Sequence, residues 1–415
     1  MSAGRIVIMG SGETAPTMVK VHRFVRETTR GPIVALDTPY GFQENADELS
    51  TRTTDYFRDS VGADLTIASF RRPDEVGTVA YEAAMARLAE AGAVFAGPGS
   101  PSYALATWRA SAVPDQLARA LERGATLTFA SAAALTLGRF TVPVYEIYKV
   151  GTPAHWLDGL GMFELLTGVT AAVVPHYDNS EGGTHDTRFC YLGERRLNLL
   201  ESELPDGAIV FGVDEHTAAV LAGAERTITV MGRGELIVRR GGSERRFGAG
   251  TTFSFDDLRD DGRASGAVAA ESSNAGATAP AVTSAAPTTL AESAVAAETA
   301  YDNAVAARDG VAAAGAALDL EATIRAWASD PSQTDDVDRA RAGLRSIVVR
   351  LGEAASSGLA DPAALVAPFV EALLELRAAA REAGRYSEAD AVRDRLVEAG
   401  VEINDGPTGT TWRLA

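Results

Sequence analysis

Short apolar runs alternate with helix-like segments over the first 258 residues of the chain. Most of the runs are rich in Val and Ile, and they include RIVIMG, PIVALD, DLTIASF, AGAVFAG and ATLTFAS. Between them lie segments such as VGTVAYEAAMARLAEAG, whose apolar residues recur at helical spacing. Strands that alternate with helices are typical of an α/β fold, so we predict a mostly parallel sheet with helices on both faces.

Further apolar runs follow later in this part of the chain. AAVVPH and AIVFGVDE have the length and composition of buried strands. RTITVMG, ELIVRRG and GTTFSF are closely spaced and linked by turn residues, which predicts hairpins at a sheet edge.

The composition changes sharply between residues 259 and 289. This stretch consists mainly of Ala, Ser, Thr, Gly and Pro, and it cannot bury enough apolar surface to offset the entropy of ordering. Beyond it, helical spacing returns, and the chain finishes with a turn between two short extended pieces. We therefore predict an α/β domain at 1–258, a flexible linker at 259–289 and a helical module at 290–415.

Charge and cysteine content narrow the range of functions. The 415 residues carry a net charge of −18, which argues against a surface built throughout for nucleic acid. Cys190 is the single cysteine, so the chain has neither a disulfide framework nor a cysteine-based zinc cluster, and we expect a cytoplasmic protein. No run of 18 apolar residues is present, so we expect no membrane-spanning helix and no membrane partner.

Ser131 is the first candidate for catalysis. It stands in FASAAALTLG, directly after the strand ATLTF and before a helix-like segment. A strand-to-helix turn of this kind exposes a nucleophilic serine and offers it the N–H groups of a helix N-terminus. The alternative is a packed serine that caps the helix.

A nucleophilic serine needs a base and an acid. His176 ends the strand AAVVPH, and functional groups in parallel sheets gather at the carboxyl ends of strands. His216 follows another strand, where Asp214 and Glu215 could orient a histidine as the third member of a triad does. For each histidine by itself, an ordinary hydrogen-bonded residue is the alternative.

Residues 4–255 resemble the cyanophycinase and aspartyl dipeptidase (dipeptidase E) group of serine peptidases. FASAAA resembles the Gly-x-Ser-Ala-Gly-Ala motif of that group, PHYDN its strand-end histidine motif, and GVDEHTA its Gly-Ile-Asp-Glu-x-Thr-Ala segment. The resemblance implies a class I glutamine amidotransferase-like fold. It also implies that Ser131 is the nucleophile, His176 the base and Glu215 the acid.

The segment AGPGSPSYAL resembles the glycine-rich oxyanion loop of the same family. The resemblance implies that Gly97, Gly99 and Ser100 border the oxyanion hole, and the N–H of Ala132 follows the serine directly.

The sequence departs from the family at three points. Phe129 and Ala133 replace the two motif glycines, and GPGS replaces Gly-Gly-Asn. A binding domain that has kept the fold but lost catalysis is therefore the alternative to a hydrolase of small peptides or amides.

The segment YDNSEGGTHDTRFC is rich in polar residues. Asp178, Asn179, His185 and Arg188 are candidates for a pocket near His176, with a solvated loop as the alternative. No spacing in this segment is diagnostic of a metal site, and we predict neither a metal nor a cofactor.

Residues 373–414 resemble the C-terminal end of bacterial cysteinyl-tRNA synthetase. The matched motifs are an Arg-x-x-Ala-Arg-like segment, ADAVRDRL, Gly-Val and the tail GTTWR. In that family the region helps to recognise the anticodon, so the resemblance implies RNA contact. The candidates for this contact are Arg377, Arg381, Trp412 and Arg413.

Two observations limit what the resemblance to the synthetase implies about function. The chain lacks the His-Ile-Gly-His and Lys-Met-Ser-Lys-Ser motifs of the synthetase, so we do not expect it to be a functional synthetase. Residues 290–415 carry 12 basic and 21 acidic side chains, which weakens the case for RNA. A helical packing or protein-interaction module is the alternative to a tRNA-associated one, and homo-oligomer formation stays open.

Overall fold

The computed structural model describes residues 4–180, 182, 185–259, 289–328, 334–357, 362–406 and 409–414. These residues form two compact units. The first contains the described residues up to 289 and those between 326 and 334, and the second contains 290–325 and those from 335 onward. Most of the predicted linker, residues 260–288, lies outside the described residues, so the boundaries of the three predicted parts stay a prediction.

The first unit alternates strands and helices in the order that the sequence predicts. Its strands are β1 (Arg5–Met9), β2 (Ile33–Leu36), β3 (Leu65–Ala68), β4 (Ala93–Ala96), β5 (Thr126–Ala130), β6 (Phe140–Thr141), β7 (Leu157–Asp158), β8 (Ala171–Val174), β9 (Ile209–Val213), β10 (Thr217–Ala222), β11 (Thr227–Gly232), β12 (Glu235–Arg240), β13 (Ser243–Gly248) and β14 (Thr252–Ser254). Its helices are α1 (Val19–Thr28), α2 (Ala46–Tyr56), α3 (Val79–Glu90), α4 (Pro101–Arg109), α5 (Val113–Glu122), α6 (Ala132–Leu135), α7 (Met162–Thr167) and α8 (Gly193–Ser202).

The strands form two mixed sheets, where the sequence predicts one mostly parallel sheet. The order is β14-β11-β10-β1-β5-β4-β2-β3 in the larger sheet and β13-β12-β9-β8-β6-β7 in the smaller one. β1, β5, β4, β2 and β3 are parallel, as are β6, β8 and β9. The closely spaced strands β10 to β14 are antiparallel to their neighbours and extend one edge of each sheet. The predicted pairing of RTITVMG with ELIVRRG is wrong, because β11 lies in the larger sheet and β12 in the smaller one; the hairpins are β10–β11 and β12–β13. An apolar run predicts a buried strand, but it does not say which strand lies beside it.

The side chains of β1 point alternately to the two faces of the sheet, and both faces are covered. This explains why residues 6–9 are all apolar. Ile6 and Ile8 pack on one face of the sheet, in a core that includes residues of α3, α4 and α5. Val7 and Met9 pack on the other face, against α1 and α2. All four side chains are fully buried, which is the pattern of a parallel strand covered on both faces.

The second part of the chain is helical and ends in a pair of strands. The helices are α9 (Leu290–Ala306), α10 (Gly310–Trp327), α11 (Thr334–Ser357), α12 (Pro362–Glu382) and α13 (Tyr386–Glu398). β15 (Val401–Gly406) and β16 (Gly409–Leu414) pair antiparallel, where the sequence predicts two short extended pieces. Val370, Leu396 and Val401 form the core that joins α12, α13 and this strand pair.

Candidate active site

Ser131 lies on the sharp turn between β5 and α6. Its backbone has φ 50° and ψ −121°, a conformation that costs on the order of 1–3 kcal/mol for a residue with a side chain. The turn is held from both sides, because the Ser131 N–H donates to the Met9 carbonyl (3.2 Å) and the Ser131 carbonyl accepts from the Leu135 N–H (3.3 Å). The Ser131 side chain makes no capping hydrogen bond to α6, so it does not act as a helix cap.

The structure brings Ser131, His176 and Glu215 together. Ser131 Oγ lies 2.9 Å from His176 Nε2, and His176 Nδ1 lies 2.7 Å from Glu215 Oε1. His176 follows β8 and Glu215 follows β9, so each residue is supplied by the carboxyl end of a different strand. Because an ionised carboxylate only accepts, His176 Nδ1 carries the proton and His176 Nε2 accepts from the serine hydroxyl.

The two residues that replace the motif glycines do not obstruct the hydroxyl group. Phe129 is fully buried in the core, where its ring packs against Trp108 with the centroids 6.1 Å apart. Ala133 is also buried, and its N–H donates to the Gly97 carbonyl (3.3 Å). The larger side chains therefore fill core space beneath the turn and leave Ser131 Oγ in contact with His176.

The loop after β4 approaches the turn at Ser131 through Gly97. Gly99 has φ 140°, and a Cβ atom there would lie 1.9 Å from the Pro39 carbonyl oxygen, so this close approach requires glycine. Ser100 caps α4, because its Oγ accepts from the Tyr103 N–H (3.2 Å).

Pro98 stands between the two glycines of this loop and has no N–H. The backbone N–H groups of this loop on either side of Pro98 therefore belong to Gly97 and Gly99. Ala132 is a further donor, since its N–H has no acceptor inside a helix that begins at that residue.

The four residues predicted to line a pocket divide into two pairs, one that contacts Glu215 and one that lies at the surface. Asp178 Oδ1 accepts from the Glu215 N–H (2.7 Å), and Asn179 Nδ2 donates to Glu215 Oε1 (3.2 Å). His185 stacks on Tyr148 at the exposed end of the segment, with Nε2 3.3 Å from the tyrosine hydroxyl. The guanidinium of Arg188 pairs with its neighbour Asp186 (2.9 Å) and is half exposed. Asp178 and Asn179 thus support the acid, while His185 and Arg188 lie on the surface.

Burial and hydrogen bonding have opposite effects on the acids of the site. Burial alone would raise the pKa of Glu215, but the hydrogen bonds from His176 and Asn179 lower it overall and favour the carboxylate. Partial desolvation raises the pKa of Asp178, although this residue is exposed at the surface. Burial, together with the nearby charge of Asp178, raises the pKa of Asp214 to about 7.

A cleft of about 800 Å³ borders the oxyanion loop at Ser100. Its walls include the residues Phe42, Ser102, Tyr103, Tyr145 and Glu146. Sequence reasoning did not select these residues. Phe42, Tyr145 and Glu146 come from separate segments that no motif marks, and Ser102 and Tyr103 follow the glycines of AGPGSPSYAL without being named. Within the described residues, no three histidine, cysteine or acidic side chains are grouped closely enough to hold a metal ion.

The structure corrects one of the predicted RNA contacts. Arg377 is 4% exposed, and its guanidinium makes two hydrogen bonds to the carboxylate of Asp405 (2.8 and 2.7 Å). This salt bridge fastens β15 to α12, so the Arg377 side chain is not available to a phosphate. The sequence alone could not identify Asp405 as the partner of Arg377, because the two residues are 28 positions apart.

The other three candidates are more accessible. Arg381 is half exposed and lies 3.3 Å from Asp405. Arg413 is largely exposed and pairs with Glu402 on the neighbouring strand. Trp412 packs partly against the small core that joins α12, α13 and the strand pair.

Comparison with known proteins gives different results for the two ends of the chain. The profile of the cysteinyl-tRNA ligase anticodon binding domain matches residues 366–413. The cysteine–tRNA ligase of Rhodospirillum rubrum is 52% identical over 50 residues, which are 12% of this chain and 11% of that protein. The chain therefore spans about a tenth of the length of the curated relative that it matches.

Two solved structures are similar to the larger part of the chain. A peptidase from an acI-B1 actinobacterium has a TM-score of 0.48 and 19% identity, and the similarity covers 61% of this chain and 97% of the peptidase. A candidate peptidase E from Listeria monocytogenes EGD-e has a TM-score of 0.36 and 11% identity, covering 59% and 98%. Separately, no helix among the described residues is both long and apolar enough to cross a membrane.

The positive φ of Ser131 predicts an unusual order of stability for two variants. Ser131→Ala and Ser131→Gly both remove the hydroxyl group, but only glycine adopts this backbone conformation without strain. We expect Ser131→Gly to have the higher free energy of unfolding, by about 1 kcal/mol, in urea unfolding experiments. At Ser111, where φ is not positive, the same pair of substitutions should give the opposite order. A less stable glycine variant at position 131 would contradict the strained turn.

The raised pKa of Asp214 predicts a pH-dependent stability. A carboxyl whose pKa is higher in the folded state stabilises the protein below its unfolded value, about 4, and this contribution is lost as the pH rises through about 7. Asp214→Asn stays neutral, so its free energy of unfolding should exceed that of the wild type at pH 8, by on the order of a few kcal/mol, and the advantage should shrink towards pH 4.

Urea unfolding at pH 4, 6 and 8 measures this difference. The exposed Asp64 provides the control, since Asp64→Asn should change stability little at any of the three values. A difference in free energy of unfolding between Asp214→Asn and the wild type that is the same at all three pH values would contradict the raised pKa of Asp214.

Proposed function

We propose that the first unit is a serine hydrolase of the cyanophycinase and dipeptidase E type, which cleaves a peptide or amide bond in a small substrate. The observation that carries the proposal is the continuous hydrogen-bonded chain from Ser131 Oγ through the His176 ring to Glu215 Oε1. A nucleophile, a base and an acid in this sequence are the parts that acyl transfer needs.

The reaction begins with attack of Ser131 Oγ on the substrate carbonyl carbon. His176 Nε2 takes the hydroxyl proton, and the imidazolium that forms is stabilised by the carboxylate of Glu215, 2.7 Å from Nδ1. The same proton then passes from His176 to the leaving amine. A water molecule, activated by His176 in the same way, hydrolyses the acyl-enzyme and restores Ser131.

The negative charge on the tetrahedral intermediate needs fixed hydrogen-bond donors. The N–H of Ala132 follows the nucleophile directly, and the N–H groups of Gly97 and Gly99 are the donors that the neighbouring loop can supply. Removal of one side-chain oxyanion-hole donor costs about 2.7–4 kcal/mol in a serine protease, which gives the scale of such a contribution.

The cleft beside Ser100 supports a substrate of small size. Its volume of about 800 Å³ falls within the range of small-molecule sites and suits a short peptide or a comparable amide. Phe42, Tyr103 and Tyr145 give it apolar walls, and Glu146 and Ser102 give it polar groups.

Labelling with a fluorophosphonate probe tests the hydrolase directly. We expect the wild type to be labelled on Ser131, Ser131→Ala to lose the label, and His176→Ala to react about 10²–10⁴-fold more slowly because it lacks the base. Mass spectrometry of the labelled peptide identifies the site, and Ser111→Ala serves as a control that should react like the wild type. A wild type that takes no label would favour the alternative, a non-catalytic binding domain on the same fold.

We also propose that the second unit contacts tRNA, weakly. The profile match at residues 366–413 is to an anticodon binding domain, and Arg381, Arg413 and Trp412 remain accessible enough for contact. Unpaired bases could stack on Trp412 or on the Arg413 guanidinium, as in recognition of single-stranded RNA. The surplus of acidic residues in this part of the chain opposes contact with phosphates.

Titration of the full chain with cysteine tRNA and an unrelated tRNA at two salt concentrations tests this second proposal. We expect dissociation constants of roughly 10⁻⁴–10⁻⁶ M for both RNAs and a shallow dependence on salt. Arg413→Ala should weaken binding slightly, while the exposed Arg341→Ala serves as a control. A strong preference for cysteine tRNA that disappears in Trp412→Ala would instead make tRNA recognition the main function, and no binding at all would reject the contact.

A further inference from the structure

The four residues His176 to Asn179 lie in one turn, and the last two of them hold the acid rather than a substrate. Asn179 N–H donates to the His176 carbonyl (3.2 Å), which closes the turn. Asp178 Oδ1 accepts the Glu215 backbone N–H at 2.7 Å, while Asn179 Nδ2 reaches the Glu215 side chain at 3.2 Å. The turn that carries the base therefore also fixes the main chain and the carboxylate of the acid.

Asn179 and His176 donate to the same oxygen atom. Glu215 Oε1 lies 2.7 Å from His176 Nδ1 and 3.2 Å from Asn179 Nδ2. A carboxylate with a single donor can rotate about its last bond, whereas two donors from different directions restrict which oxygen faces the imidazole. Asn179 is completely buried, so water does not compete for its amide.

The neighbouring residue Tyr177 prevents the turn from shifting. Its N–H donates to the Val213 carbonyl (3.1 Å), and its hydroxyl donates to Glu244 Oε1 (2.7 Å). Arg239 is 2% exposed and pairs with Glu244 (3.1 Å) and Glu201 (2.9 Å), so that carboxylate is itself fixed. The position of Asn179 relative to Glu215 is thus set by a buried network outside the triad.

We propose that Asn179 is a positioning residue of the active site, which acts through Glu215 by holding Oε1 against His176 Nδ1, and that Asp178 fixes the Glu215 main chain for the same purpose. This inference rests on the hydrolase function proposed above.

An amide suits this position better than a charged group. Besides His176, His216 acts electrostatically on Glu215. The charge of Glu215 in turn adds to burial in raising the pKa of Asp178 and of the Cys190 thiol. A second carboxylate at position 179 would oppose the ionisation of Glu215, and a cation would compete with His176 for Oε1. The neutral N–H group of asparagine donates without either effect.

The rate of fluorophosphonate labelling, measured between pH 5 and pH 9, tests the role of Asn179. In the wild type the rate should rise as His176 loses its proton and then stay level. Asn179→Ala should slow labelling about tenfold at pH 8, the loss of about one hydrogen bond to a charged group. Asn179→Asp has the same shape but adds a carboxylate next to Glu215, so the two acids should share one proton and titrate as a pair.

The isosteric variant gives the sharper result. While the shared proton is bound, the protonated carboxyl at position 179 donates a hydrogen bond to Glu215 in place of the amide. When that proton is lost, two negative charges face each other. The pH profile of Asn179→Asp should therefore become bell-shaped, with labelling that falls at high pH. Asn303→Asp makes the same chemical change at an exposed position of α9 and should keep the wild-type profile. A purely structural loss would lower the rate without changing the shape of the profile.

NMR titration of the His176 ring gives a readout that does not depend on catalysis. The ring signal of Asn179→Asp should show a titration step that the wild type and Asn303→Asp lack. If the wild type takes no label, the hydrolase proposal fails while this titration still decides whether Asn179 acts on the His176–Glu215 pair.

Three results would overturn the inference. The first is that both Asn179 variants keep the wild-type labelling rate and pH profile. The second is that the pH profile and the His176 titration of Asn179→Asp keep the wild-type shape. The third is that both variants fail to fold, as measured by circular dichroism, which would make Asn179 a packing residue.

Discussion

The close contact between the ends of β1 and β9 is the constraint on which the rest of the site depends. A Cβ atom on Gly10 would lie 1.9 Å from the Asp214 carbonyl oxygen, so the two backbones can meet only where β1 is followed by glycine. Met9 accepts from the Ser131 N–H, and Gly10 accepts from the His176 N–H. One short stretch of main chain thus holds Ser131, His176 and the strand that leads to Glu215. Gly10, in the segment after β1, serves this close contact.

The site concentrates unfavourable backbone conformations. Ser131 and His176 both have positive φ, and Phe189, Cys190 and Tyr191 form three consecutive left-handed residues beside them. Such residues each cost on the order of 1–3 kcal/mol and persist only where their surroundings fix them. Here the Cys190 N–H donates to the His176 carbonyl and the Phe189 N–H donates to the Tyr177 carbonyl. The strained segment therefore supports the turn that carries His176. Burial raises the pKa of the Cys190 thiol to about 12, so the thiol is not a nucleophile.

The C-terminal similarity has a structural explanation beside any functional one. Arg377 and Asp405 both fall in the stretch that matches the anticodon binding domain, and they form the salt bridge that joins α12 to β15. Thr410 donates to the same carboxylate, so this small unit is held by a polar cluster as well as by its core. Arg377 and Asp405 therefore have a structural role in this unit that does not involve RNA.

The sequence alone predicted the α/β class and the helical second part, because buried strands and helices leave apolar patterns that do not depend on their neighbours. It also named Ser131, His176 and Glu215, since each stands at a strand end within a motif of a known family. The order of the strands and the division into two sheets were decided only by tertiary structure, because hydrophobic periodicity carries no information about which strands pair. The same holds for the roles of Asn179 and Arg377. A polar side chain reads alike in sequence whether it faces solvent, a substrate or a buried carboxylate, and only the packing of distant segments assigned Asn179 to Glu215 and Arg377 to Asp405.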